Sequence, residues 1–318
     1  MKKIFLLTAL AVLLGVANAA AQQIAVVSED GETTVYQTLP QAIDGAEPGS
    51  VIYLPGGGFP ISDEMKITKR LTIIGIGHRS DNDNVDGITT ISGSLGFYEG
   101  SSGSAVMGCY ITGNVIIMSV SNVLIKCCNL NRVDVNNSSS IGTNISQNYI
   151  RNRCDINASC RFNNNICRSV YGINGGTIEN NIFASKIIFP SGGYYGYVLE
   201  CNNSYVSNNI FIETAVNGSS NTWSNNLSTV NLGDNPINIG NVDWNDVFVN
   251  FNGAAVNPMS DFHFKEAYQQ YSDIGIYGGS GFNDHQTAPV PYIVAKRIAE
   301  ETDAAGQLKI QVRVKAGE

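Results

Sequence analysis

Charge is what this chain has least of. Lys, Arg, Asp and Glu make up 14% of its 318 residues, where soluble domains usually carry about 25%. A disordered chain would pair high net charge with few β-branched or aromatic residues. Hydrophobic residues here reach 43%, which implies a sizeable core in one large domain or two small ones. Histidine is nearly missing: His78, His263 and His285 lie outside the stretch that bears Cys109, Cys127, Cys128, Cys154, Cys160, Cys167 and Cys201. No zinc-ligand spacing results. An odd cysteine count leaves at least one thiol unpaired or paired between chains; small core fillers and disulfides both remain open. Helical periodicity is missing too. Segments such as VIIMSVSNVLIKCCNL and TIENNIFASKIIF are rich in β-branched residues and broken by Asn, Gly and Ser, which excludes a helical repeat.

Long apolar runs are absent except at the start, MKKIFLLTALAVLLGVANAAAQQ. Lys2 and Lys3 form a positive n-region, and the apolar run that follows is too short to span a bilayer comfortably. The small residues at 17–21 fit a signal-peptidase site. Residues 1–21 are therefore expected to be a signal peptide, and the protein secreted to the periplasm, cell surface or medium. Losing Lys2 and Lys3 takes the net charge from −8 to −10, because residues 1–21 hold no acid. An acidic chain argues against nucleic acid and anionic membranes as partners.

What the chain has in abundance is asparagine, in one repeated phrase: RFNNNICRS, TIENNIFAS, YVSNNIFIE and NTWSNNLST. Its second Asn falls at Asn165, Asn181, Asn209 and Asn226; ISQNYIRN supplies Asn148, KCCNLNR supplies Asn129, and Cys109 takes the same slot in VMGCYITGN. Successive members are 16 to 28 residues apart. A short period means stacked units, none able to bury its apolar face alone. Coils of about three short strands fit, stacked at about 4.8 Å in parallel register. Asparagine tolerates left-handed turn conformations, and in-register asparagines can form a hydrogen-bonded ladder. Two places on, Ile150, Cys167, Phe183 and Phe211 are expected to point inward, while Asn131 and Ser228 break that column.

This pattern resembles the right-handed parallel β-helix of the pectin-lyase-like superfamily, secreted bacterial type. The opening LPQAIDGAEPGSVIYLPGG, followed by KRLTIIGIG, resembles that fold's short N-terminal capping helix and first coil. The expected architecture is all-β: a solenoid over 22–286 with a capping helix, then a C-terminal β-hairpin tail over 287–318. IGIYGG, from Ile274, resembles a last coil, and TAPVP reads as a linker. YIVAKRIAEE and QLKIQVRVKA alternate apolar and polar residues, which suits a hairpin covering the edge of the terminal coil; a short helix from Tyr292 to Glu301 is the alternative.

The resemblance implies a carbohydrate partner but does not fix an activity, since the fold hosts lyases, hydrolases, epimerases and adhesins. The Gly-His-Gly element of polygalacturonases is absent. The acids of the coils, Asp134, Asp155, Glu179, Glu200 and Glu213, do not align in one column by their distance from the asparagines; Asp134 and Asp155, at offsets five and seven, are the nearest to a facing pair. Three residues after the aligned asparagines stand Arg132, Arg151 and Arg168, with Arg153 close by. Such a column suits a uronate carboxylate, or an outward face neutralised by Asp134 and Asp155. The long interval before Asn209 carries an insertion, FPSGGYYGYVLE, whose Tyr194, Tyr195 and Tyr197 suit stacking on sugars or packing on the coil below. DNDNVDG, from Asp81, resembles a calcium loop, but Val85 occupies a ligand position and Ser92 replaces the closing Glu; no cofactor is expected. Two functions remain: a polysaccharide-binding or polysaccharide-processing protein, with uronate-containing chains as one candidate substrate, and a non-catalytic surface or adhesion scaffold.

Overall fold

The structure, a computed structural model, describes residues 23–79, 87–184, 187–188, 194–195, 197–212, 215–251, 260–284, 287–288, 292–298 and 310–315. The leader read at 1–21 and the loop from Asp81 lie outside them, as do Glu213 and the side chains of Tyr194 and Tyr195. The described chain is a right-handed parallel β-helix. Thr38 caps the short helix Leu39–Gly45 by accepting from the Gln41 N–H, and Pro40 lies in its first turn, where a missing N–H costs nothing. Leu39, Ala42 and Ile43 of this helix are buried and belong to the same core as Ile24 and Ile52.

Two long sheets run along the stack. The first begins with two antiparallel strands, Thr33–Tyr36 at its edge and Ile24–Val27. From Val51–Leu54 to Thr222–Ser224 every neighbour is parallel. The second sheet runs from Gly57–Ile67 past Tyr149–Ile156 and Ile166–Asn174 to Ile237–Asn238. Within it each middle coil has two arms. The first arm pairs Tyr149 with Ile166, Ile166 with Ile182 and Ile182 with Ile210. The second pairs Asp134 with Asp155 and Asp155 with Tyr171. Ile150, Cys167, Phe183 and Phe211 point into the lumen, with Phe183 and Phe211 stacked at 4.8 Å.

The doubled asparagine divides two tasks at the corner between the sheets. The first member takes the left-handed conformation: φ is 52° at Asn164, 57° at Asn180, 55° at Asn208 and 51° at Asn225. Side chains other than Asn, Asp and Gly rarely adopt it. The second member is buried. The backbone N–H of Asn148, Asn165, Asn181 and Asn209 each donates to the side-chain oxygen of the asparagine one coil on, at 2.9–3.0 Å. The side-chain amides of Asn148, Asn165, Asn181, Asn209 and Asn226 donate back to the carbonyls of Ile125, Ile145, Phe162, Ile178 and Val206. Asn129 is not in this column. It pairs with Tyr149, and the Cys128 N–H donates to Asn148 Oδ1. The Cys127–Cys128 pair thus takes the place of the Asn–Asn pair, with Cys127 at φ 50°. All seven cysteines are buried free thiols.

The outward side of the first arm, Tyr149, Ile166, Ile182, Ile210 and Leu227, is apolar and is covered by the chain after the last coil, including Trp244, Phe248, Phe262, Ile274 and Ile276. The segment from Asp273, expected as a coil, forms no strand. It is a strap running back along the left-handed corner. The Gly275 N–H donates to the Asn208 carbonyl. Asn180 Nδ2 donates to the Asp273 carbonyl, Asn164 Nδ2 to the Ile276 and Gly278 carbonyls, and Gln147 Nε2 to the Gly281 carbonyl. Gly275 is at φ 79°, and a Cβ there would sit 2.4 Å from Ile210 Cδ1, so glycine is required twice over. At its end Ala288 packs against Ile74, Ala105 and Met107. The strap therefore finishes over the first coils, opposite to the terminal coil that the hairpin was expected to cover. The hairpin itself is present, Tyr292–Ile298 antiparallel to Ile310–Lys315.

Candidate functional site

The second arm of the second sheet carries the polar side chains that sequence reasoning singled out, in a different arrangement. Alternation points Val133, Val135, Cys154, Ile156, Val170 and Leu199 into the core, so Asp134, Asp155, Tyr171 and Glu200 face outward. Asp134 pairs with Asp155, Asp155 with Tyr171 and Tyr171 with Glu200. Three acids that looked scattered therefore share one column. A β-bulge is the reason. The register shifts between Ile150 and Arg153, which inserts one extra residue into this coil and places Asp155, seven residues after Asn148, beside Tyr171, six after Asn165.

The same bulge dismantles the expected arginine column. Arg153, not Arg151, is the counterpart of Arg132, each two residues before its aspartate in the phrases RVD and RCD. Arg132 Nε donates to both carboxylate oxygens of Asp134, at 2.7 and 2.9 Å, and its guanidinium reaches Asp155 at 3.4 Å. Arg153 bonds Asp155 at 2.9 Å and lies 4.8 Å from the centre of the Tyr171 ring. Arg151 turns away: it donates to Asn129 Oδ1 and to the Ile111 and Thr112 carbonyls and covers Tyr110. Arg168 has a buried Nε without a hydrogen-bond partner and joins neither group among the described residues.

Burial separates the two ends of the Arg132–Asp134 bond. The Asp134 side chain is 7% exposed and that of Arg132 37%. Burial raises the Asp134 pKa, and the bond to Arg132 only partly offsets it. Burial pulls at Arg132 as well, but Asp134 and Asp155 together raise its pKa, so the guanidinium stays charged. Beside the ion pairs runs a row of amides, Asn152 donating to Asn131 and Asn131 to Asn114. The Tyr171 hydroxyl donates to the Tyr197 carbonyl at 2.7 Å, which ties the end of the tyrosine insertion to the strip; Tyr197 is exposed. Just beyond Ile156 and Tyr171 the chain forms an open depression of about 330 Å³ lined by Ser138, Asn157, Ala158, Ser159, Gly172 and Asn174. Sequence reasoning missed Tyr171 and this depression. The repeated Arg-x-Asp phrase was the legible signal. Among the described residues no cluster of three His, Cys, Asp or Glu side chains could hold a metal.

The strip lies within residues 27–245, which match the model of a family described as rhamnogalacturonase A/epimerase, pectate lyase-like. This chain belongs to that family. No curated protein and no solved structure matches it. Membership in the rhamnogalacturonase A/epimerase, pectate lyase-like family supports a polysaccharide-related role and agrees with the parallel coils. Among the described residues no helix is long and apolar enough to cross a membrane.

Proposed function

We propose that this protein is exported and binds a polysaccharide along the strip Asp134–Asp155–Tyr171–Glu200 and in the depression beside it. The carrying observation is the alignment of two Arg–Asp pairs with Tyr171, on the coils that border a hydroxyl- and amide-lined depression. A paired guanidinium and carboxylate present donors and acceptors side by side, which suits vicinal hydroxyls, and a tyrosine edge gives sugars an apolar surface. Binding is favoured over cleavage because hydrolysis needs one carboxyl to donate a proton and its partner to act as base or nucleophile. Both Asp134 oxygens are held by Arg132, and Asp155 is shared between Arg132 and Arg153. The same pairing weakens the case for uronates, since the two guanidiniums are already neutralised. Hydroxyl recognition should accept neutral chains and vary little with salt.

Cleavage is the second reading, favoured by the raised pKa of Asp134 next to a second carboxylate. The test is a panel of neutral and acidic polysaccharides, read for retention and for new reducing ends or unsaturated products. Retention of at least one glycan should fall about tenfold or more in Arg153→Ala and in Tyr171→Ala, with folding unchanged. New products abolished by Asp134→Asn would establish cleavage. No retention of any glycan would leave the scaffold reading.

A further inference from the structure

An exposed apolar row near the start of the chain and the C-terminal hairpin are the two surfaces in question. Val35 and Tyr53 are 54% and 42% exposed. They stand in one cross-strand row, Val35 opposite Ala25 and Ala25 opposite Tyr53. The row continues through Tyr53 to Ile74 and through Ile74 to Met107. It ends at the edge strand Thr33–Tyr36, which has no strand beyond it among the described residues. An exposed apolar edge is a liability that native folds cover. The second surface is the C-terminal hairpin. A lone two-stranded hairpin is marginally stable in water, yet its strands carry Tyr292, Ile293, Val294 and Ile298, then Ile310, Val312 and Val314 in the sequence.

We propose that the C-terminal hairpin folds back onto the first strands of the chain and covers the row Val35–Ala25–Tyr53. Ala288 fixes the starting point, because it already packs on Ile74, Ala105 and Met107 at the inner end of the row. Three residues lie between Ala288 and Tyr292, and the four Cα steps reach at most about 14 Å. Three strand spacings, from Ile74 out to Val35, are also about 14 Å, so the hairpin can start anywhere over the row. The terminal strand Thr222–Ser224 lies six strands from Ala105–Met107, about 29 Å away, and is out of reach. Charge agrees. Between residues 28 and 36 stand Asp30 and Glu32, beside a Glu29 that Arg70 already engages, with no basic residue, whereas the hairpin strands hold Lys296, Arg297, Arg313 and Lys315 with no acid. The occupant is thus a segment of the same chain, whose docking continues the contact made by Ala288.

A photo-reactive benzoylphenylalanine at Tyr53, and separately at Val35, in the full chain tests this. Irradiation followed by peptide mapping should give intrachain cross-links to peptides within 292–315. Cross-links between two copies, or none to 292–315 from either position, would overturn the proposal. Hydrogen exchange supplies a readout free of the probe. Val312→Asp should speed exchange in Thr33–Tyr36 at least tenfold while that of Cys160–Asn163 stays unchanged. Unaltered exchange in Thr33–Tyr36 counts against the docking.

Discussion

Asn181 shows how much one side chain does in this solenoid. Its oxygen accepts from the Asn165 N–H and side-chain amide, and its own amide donates to Asn209 and to the carbonyls of Phe162 and Glu179. Alanine would leave these partners unpaired in a site closed to water, where each unsatisfied group costs about 1–3 kcal/mol. Asn181→Ala is expected to lower stability by at least that amount in chemical denaturation; an unchanged midpoint would show that the column is idle. The thiols make a second expectation at this scale. Burial raises all seven, with Cys127, Cys128, Cys154 and Cys201 pushed up to about 12. The reactive thiolate is therefore scarce and enclosed at pH 8. Iodoacetamide should label none of the seven in the folded protein and all seven after denaturation without reductant. Intact disulfides in the mass spectrum would contradict the free-thiol state.

At the scale of elements, the strap can be loosened without touching the stacked column of Asn148, Asn165, Asn181, Asn209 and Asn226. Asn164→Gly keeps a residue at ease at φ 52° but removes both donors to the Ile276 and Gly278 carbonyls. Amide exchange within 273–284 is expected to quicken, and protease to cut there first, with Cys160–Asn163 still protected. This scale also shows what the sequence could disclose. The coil repeat, the inward column of Ile150, Cys167, Phe183 and Phe211, and the capping helix were readable because each follows from local pattern. The position of Asn129 was not, because a Cys–Cys pair performs the Asn–Asn task one residue earlier. Nor was the arginine arrangement, because nothing in IRNRCDI marks Arg151 and Asn152 as a bulge until the neighbouring coils impose their register. The strap escaped for a related reason: IGIYGG has the glycines of a turn, and only the distant amides of Gln147, Asn164 and Asn180 decide where it lies.

For the whole molecule, the strap has a consequence for how the fold comes apart. A stack whose units touch only their neighbours behaves as a one-dimensional chain and can fray from either end. Here Ala288 rests on Ile74 and Gly275 is bonded to Asn208, so the last segment spans most of the array like a stitch returning to its first hole. Removing an end coil then means undoing the stitch along its length, and the loss is felt many coils away. Denaturation of the intact protein should therefore follow one sharp transition by both circular dichroism and tryptophan fluorescence, despite the repeat architecture. In Asn164→Gly the two probes should separate, since Trp223 and Trp244 lie at the late coils that the stitch binds. Coincident curves in that variant would mean that the array holds together through its neighbours alone.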